Sequence, residues 1–352
     1  MSHSYFTPLP DREIVSEGKR YLHFSGTSYL GMGSQPEFRQ VLIDSILKHG
    51  PNHGSSRNSN VQLPIYDTFE AYFAAGSGAE AAALLSSGFM AGQLALNTLR
   101  PLVDLTWTAP DTHPAITYES QPQSDLSHQQ WQKRCIAKSK KLLGQKVLLL
   151  SNAVNPLIPE IHDFEWTKKL SPANKYYLLV DDSHAFGILG KGLFGTYAQW
   201  KNLPVELMVC GSLGKGLALP AGIILGSQPL IDKVRENAVY RTSSPPAPAF
   251  LNAFLEGQDI YQSQQQKLSK NLHYMLSAVS QLEEFKMLPQ YPVISFAPEH
   301  WVDKLHEKGF ALSSFPYPFP ASPPVNRIIL SAWHLPTDLE ALVGAIGEII
   351  NC

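Results

Sequence analysis

The sequence predicts an α/β fold: a large domain built on a mainly parallel, mixed sheet, followed by a smaller C-terminal α+β domain. Three observations carry this. Unbroken apolar runs, VLLLS at Val147–Ser151 and YYLLV at Tyr176–Val180, have the pattern of strands buried on both faces. Helical or polar stretches separate successive runs, as the crossovers of a parallel sheet require. At 352 residues the chain is long enough for about two domains, each with a real core.

In chain order, an extended arm precedes a helix at Pro36–His49. Pro36 suits the first helical position, Phe38, Val41, Leu42 and Ile46 recur at helical spacing, and Gly50-Pro51 is the stop. A polar loop, His53–Asn60, leads to a second helical stretch over Ile65–Ala75, where Tyr66, Phe69, Tyr72 and Phe73 repeat at three and four and read as core. Ser56-Arg57 in the loop reads as a solvated turn. From Ala81 onward come strands at Leu84–Ser87, Leu102–Trp107, Val147–Ser151, Tyr176–Val180, Leu207–Cys210 and Ile223–Leu225, with a helix near Gly92–Leu99. Beyond about Ile231 the pattern turns to long helices, one of them polar at Gln258–Glu284. Strands at Tyr291–Phe296 and Asn326–Ala332 and a closing helix at Pro336–Ile349 complete the chain. These elements divide it into an arm with first helix (1–50), a large domain (51–230) and a small domain (231–352), with no internal repeat.

Composition excludes several functions. Twenty-eight basic against 30 acidic residues give a net charge of −2, which argues against broad phosphate neutralisation of a nucleic acid. Cys135, Cys210 and Cys352 are odd in number and far apart, so neither a disulfide framework nor a metal site is expected. His23, His49, His162 and His334 show no ligand spacing and read as structural. Prolines and charges occupy the N-terminus where a signal peptide needs an apolar stretch, and no apolar run approaches the ~18–20 residues of a membrane span. The expectation is a soluble, unprocessed, cytoplasmic protein.

The chemistry concentrates at two strand ends, the region where open α/β sheets bind ligands. Tyr176–Val180 runs into Asp181-Asp182-Ser183-His184, and Leu207–Cys210 runs into Gly211-Ser212-Leu213-Gly214-Lys215-Gly216. Glycines on either side of Lys215 let the backbone close round a ligand while one amine points into the crevice. A desolvated amine of this kind forms Schiff bases. Pyridoxal 5′-phosphate (PLP) offers an aldehyde for such a lysine and needs an acidic partner for its ring nitrogen, a role for which Asp181 is placed. Asp182 reads as a helix cap.

These residues stand within a longer series of motifs: RYLHFS at Arg20–Ser25 leading to Tyr29-Leu30-Gly31, Ser87-Gly88-Phe89, DTHPAI around His113, VDDSHAFGILGKGLFG at Val180–Gly195, GSLGKGL at Gly211–Leu217, RTSSPP at Arg241–Pro246 and RIILSAWH at Arg327–His334. In this order they resemble the α-oxoamine synthases, a family of fold-type I PLP-dependent enzymes. The resemblance implies that Lys215 carries the cofactor and moves the substrate α-proton, that Asp181 pairs with the pyridine nitrogen, that His184 contacts the ring hydroxyl and that His113 stacks on the ring. It implies a phosphate site at Ser87, Gly88 and Phe89 with the Ser212 hydroxyl, which agrees with the anion affinity of helix N-termini. Thr242 would reach the phosphate from the neighbouring subunit, making the protein a homodimer with shared sites. Arg327 would clamp the substrate carboxylate through its bidentate fork. The implied reaction is the condensation of a small amino acid, alanine or glycine, with an acyl thioester on CoA or a carrier protein, with decarboxylation, in biotin synthesis.

The chain departs from the family on the substrate side. Thr27 replaces an asparagine that helps hold the substrate carboxylate, and Ser151–Leu157 (SNAVNPL) lacks the family's glutamate and Met-Asp-Gly, leaving Asn155 near the family serine. An aminotransferase, another PLP-dependent amino-acid lyase, or a catalytically altered PLP-binding homologue are the alternatives. Ser212-x-x-Lys215 also matches the nucleophile motif of serine β-lactamases, but the accompanying Ser-Asp-Asn and Lys-Thr-Gly do not occur. Gly187–Gly192 matches a dinucleotide loop only with its spacing reversed.

Overall fold

The computed structural model describes residues 3–118, 126–155, 157–317 and 321–351. A hairpin opens it: β1 (Glu13–Ser16) pairs antiparallel with β2 (Lys19–Phe24). Helices α1 (Pro36–His49) and α2 (Pro64–Ser77) each begin on proline, whose missing N–H costs nothing where the helix has no acceptor for it. Then follow β3 (Ala81–Leu85), α3 (Gly88–Leu99), β4 (Leu105–Thr108), α4 (His128–Ser139), β5 (Lys146–Asn152), β6 (Lys175–Asp181), α5 (Tyr197–Trp200), β7 (Glu206–Ser212) and β8 (Gly222–Gly226). Helices α6 (Gln228–Glu236), α7 (Ala238–Thr242), α8 (Pro248–Glu256) and α9 (Gln258–Val279) come next. The chain closes with β9 (Phe285–Leu288), β10 (Tyr291–Phe296), α10 (His300–Glu307), β11 (Phe310–Pro316), β12 (Pro324–Ile329) and α11 (Pro336–Ile350).

Two units result. The first runs from Gln40 to Gly257, apart from residues 157–160. Its sheet has the order β3-β8-β7-β6-β5-β4, with β4 to β7 parallel and β8 antiparallel to both β7 and β3. This is the mainly parallel, mixed sheet that the apolar runs predict. Leu148, Leu150, Leu179, Met208, Cys210 and Ile224 form the floor of the core, and Ala91, Leu94 and Ala95 of α3 pack on it. Leu230, Ile231 and Val234 of α6 and Tyr240 of α7 belong to the same core. That burial keeps α6 to α8 in this unit, where sequence patterning puts a boundary near residue 230. Tyr66, Phe69 and Phe73 are fully buried in α2 as expected, while Tyr72, on the outer side of the aromatic stripe, is 39% exposed.

The second unit holds the chain up to Arg39, residues 157–160 and everything from Gln258. Its sheet has the order β1-β2-β11-β12-β10-β9. The pairing of β2 with β11 is parallel, Leu22 opposite Phe310, and the other pairs are antiparallel. The arm that reads as merely extended in sequence therefore supplies two strands to the sheet of the C-terminal segments. His334 sits in this unit as a structural histidine: its Nδ1 accepts the Ser331 N–H at 3.1 Å, and its Nε2 lies 2.9 Å from the His23 carbonyl oxygen.

Candidate active site

All four residues expected to carry the chemistry lie in the first unit and converge. His113, Asp181, His184 and Lys215 line one cavity, together with Asn152 and Val154. Asp181 is the last residue of β6 and Asn152 the last of β5, paired in register, so the cavity opens at the carboxyl edge of the parallel strands. Lys215 follows β7 in a loop closed on itself by Leu213 N–H to the Ala221 carbonyl (3.0 Å) and Leu219 N–H to the Leu213 carbonyl (3.0 Å). Gly216 is required there, because a Cβ would stand 2.7 Å from the Phe186 carbonyl oxygen.

Asp181 is buried, and its Oδ1 accepts the Ser183 N–H at 2.9 Å while Oδ2 lies 3.9 Å from His113 Nδ1. His113 keeps 35% of its side-chain surface. Burial lowers its pKa, the Lys215 charge acts in the same direction and Asp181 opposes them. Its Nδ1 accepts the Ala115 N–H at 3.1 Å, which assigns the ring proton to Nε2. The result is a neutral imidazole facing the cavity.

The β3-to-α3 turn meets the end of β7. Ser87 caps α3, its Oγ accepting the Met90 N–H at 3.2 Å. The first-turn amides at Gly88 and Phe89 have no acceptors within the helix, the arrangement that favours anions. A Cβ on Gly88 would lie 2.4 Å from the Ser212 Cβ, so the helix start reaches β7 only because position 88 has no side chain. The Ser212 Oγ accepts the Gly214 N–H at 3.1 Å, and the Ser212 N–H donates to Ser183 Oγ at 2.8 Å. A lysine amine, a buried carboxylate, a neutral ring and a helix start with an adjacent hydroxyl are the donor set that PLP requires, and the residues present fit it.

The remaining expected residues are not among those lining this cavity. Asn155 follows β5 but is not among the residues lining the cavity, where Asn152 and Val154 stand instead. Thr242 is exposed on α7, its hydroxyl donating to the Ala238 carbonyl at 2.8 Å. Thr27 and Arg327 belong to the second unit, where Arg327 on β12 donates to Ser313 Oγ at 3.0 Å and its guanidinium lies over the Phe315 ring. Asp182 is fully buried and accepts from Thr196 N–H (2.6 Å) and Thr196 Oγ1 (2.8 Å), so it anchors the loop after β6 and caps no helix.

Arg57 corrects the reading of its loop as a solvated turn. Its side chain is only 12% exposed, pairs with Asp67 at 3.0 Å and Glu70 at 3.5 Å, and lies over the Tyr66 ring. Glu70 also takes Arg235 at 3.0 Å, the Tyr240 hydroxyl at 3.0 Å and the Leu84 N–H at 2.9 Å. A wider cavity lined by this cluster does not include Lys215, and Arg57, Asp67, Glu70 and Arg235 around it pair among themselves.

The sequence also gives no hint of a polar cluster behind the cavity. Asp111, His128 and His162 come together, His162 Nε2 on Asp111 Oδ2 at 2.5 Å and His128 Nε2 on Ser151 Oγ at 3.2 Å. The two imidazoles are parallel within 1° at a 3.6 Å separation. No point lies in both ring planes, so the pair as arranged does not present two lone pairs to one ion. Burial pushes the His128 pKa down to about 3.

Comparison with known proteins places this geometry. The family model described as aminotransferase class I and II matches residues 112–346. An 8-amino-7-oxononanoate synthase of Aliivibrio fischeri is 27% identical over 352 residues, which cover 96% of this chain and 91% of that protein. A serine palmitoyltransferase of Bacteriovorax stolpii is 25% identical over 82% of this chain and 72% of its own. Among solved structures, a serine palmitoyltransferase from S. paucimobilis with PLP and myriocin bound superposes with a TM-score of 0.81 at 17% identity, covering 97% of this chain and 90% of the other.

Proposed function

The chain belongs to the aminotransferase class I and II family, and from that premise we propose that it is a PLP-dependent α-oxoamine synthase, joining a small amino acid to an acyl thioester with loss of CO2 in the manner of 8-amino-7-oxononanoate synthase. The observation that carries this reading is the convergence of Lys215, Asp181, His184 and His113 on one cavity at the carboxyl edge of β5 and β6.

PLP, when bound, withdraws electrons from the substrate α-carbon so that a bond to hydrogen or carboxyl can break. The protein's own residues do the rest. Lys215, which lines the cavity, would hold the cofactor aldehyde, and the same amine would take up and return the substrate α-proton. Asp181, kept from solvent, holds a proton on the pyridine nitrogen by its negative charge. His113 would cover a ring face with a neutral imidazole, which adds no positive charge to compete with that proton. His184 would donate to the ring oxygen, and Gly88, Phe89 and Ser212 would hold the phosphate. Arg327 and Thr27 are assigned to the substrate carboxylate, Asn155 to the acyl side, and Thr242 to the phosphate bound by a second copy in a cytoplasmic homodimer. Among the described residues no helix is long and apolar enough to cross a membrane.

The test is thiol release from acyl-CoA and acyl-carrier thioesters in the presence of alanine, glycine or serine. Release that requires one of these amino acids and disappears in Lys215→Ala supports the synthase. Amino transfer to a keto acid with no thiol released would make the protein an aminotransferase instead.

A further inference from the structure

We infer that Asn152 is a positioning residue that sets His113 against the cofactor. Its carboxamide bridges two points of the loop after β4: Nδ2 donates to the Asp111 carbonyl at 2.6 Å, and Oδ1 accepts the His113 N–H at 3.0 Å. Asn152 is 3% exposed and ends β5 directly opposite Asp181, and the next residue, Ala153, donates its N–H to the Asp181 carbonyl at 3.0 Å. One residue therefore ties the position of His113 to the strand end that carries the buried carboxylate. The link continues into the ring, since His113 Nδ1 takes the Ala115 N–H from its own turn. With backbone and Nδ1 both fixed, the imidazole has one orientation and one tautomer.

An amide is the group this place requires. One side of the bridge needs a donor and the other an acceptor, which a carboxamide supplies without charge. An ionised carboxylate would put an oxygen against the Asp111 carbonyl, in a pocket already holding Asp181. Behind the loop, the Asp111 carboxylate is held by His162, so the carbonyl that Asn152 grips belongs to a residue anchored at both ends.

The inference rests on the reading of His113 as a cofactor-ring residue, and two measurements separate its failure from failure of that reading. In the cofactor-free protein, imidazole 15N NMR should show His113 as the Nε2–H tautomer. Asn152→Ala, or Asn152→Ser if alanine does not fold, should give averaged tautomers. An unchanged His113 spectrum in the variant overturns the inference whether or not PLP binds. In a PLP titration, Asn152→Ala should weaken binding about tenfold in the wild-type background and less than twofold in a His113→Ala background. Equal weakening in both backgrounds would mean that Asn152 acts on the cofactor by another route or only on stability, and would likewise overturn it.

Discussion

Gly88 and Ser212 approach until a Cβ on the glycine would stand 2.4 Å from the serine Cβ and 2.5 Å from its Cα. The first turn of α3 and the last residue of β7 thereby form one surface, with helix amides on one side and a hydroxyl on the other. Gly88→Ala should push them apart. Overpacking of this kind costs about 1–3 kcal/mol, and a misplaced helix start should weaken PLP about tenfold or more, equivalent to ~1.4 kcal/mol. Urea unfolding and a PLP titration measure the two effects. Wild-type affinity in the variant would show that the α3 terminus does not hold the phosphate.

Asp182 should make the protein's stability depend on pH in the direction opposite to a salt-bridged carboxylate, whose folded-state pKa is lowered. Burial raises its pKa to about 7 against the hydrogen bonds from Thr196, which favour the charged form. The unfolded chain would titrate near 3.9. Between those values the folded state binds the extra proton, so the Asp182 contribution is greatest below about pH 4 and declines, by up to ~1.4 kcal/mol per unit, as the pH rises towards 7. The melting temperature of Asp182→Asn relative to wild type should therefore climb from pH 4 to pH 7. A flat difference across that range would mean that Asp182 is ionised throughout.

Glu70 braces the first unit without touching the cofactor cavity. It is 3% exposed and joins α2 to Arg235 of α6, Tyr240 of α7 and the Leu84 N–H of β3. Glu70→Ala leaves the buried Leu84 N–H and Tyr240 hydroxyl without their partner, at a cost of about 1–3 kcal/mol per buried group. PLP affinity measured below the unfolding transition should stay within twofold of wild type. A stable variant that has lost PLP would place this cluster in the binding machinery after all.

Asp181 and Lys215 were legible as candidates because each stands at or just past a strand end, whereas His113, in the loop after β4, rests on the family resemblance. An apolar run long enough to be buried on both faces announces its own carboxyl end, and Asp181 and Lys215 follow two such runs. Less legible were groups defined by a distant partner. The outer strands of the second sheet, β1 and β9, are short and lack a clean alternation, and nothing near Leu22 points to Phe310. Helix α4 buries His128, Trp131, Cys135 and Ser139 along one side, a stripe at helical spacing that contains no aliphatic residue. Arg57 reads as a loop charge until α2 places Glu70 beneath it. Asn152 sits in a segment that stands out only for lacking the family's glutamate, and its grip on the His113 loop exists only once β4 and β5 are side by side.

The parallel pairing of Leu22 with Phe310 has a consequence for synthesis on the ribosome. Strands β5 to β8 can assemble as they emerge, each joining a neighbour made shortly before it, although β3 waits for β8. The β1–β2 hairpin leaves the ribosome before them and finds its inner neighbour only after Phe310 has been made. Throughout that interval β2 presents an unpaired edge, the feature that recruits stray strands. Closing a pairing so distant in sequence is slow, and shortening the chain before β11 would leave that edge permanently open.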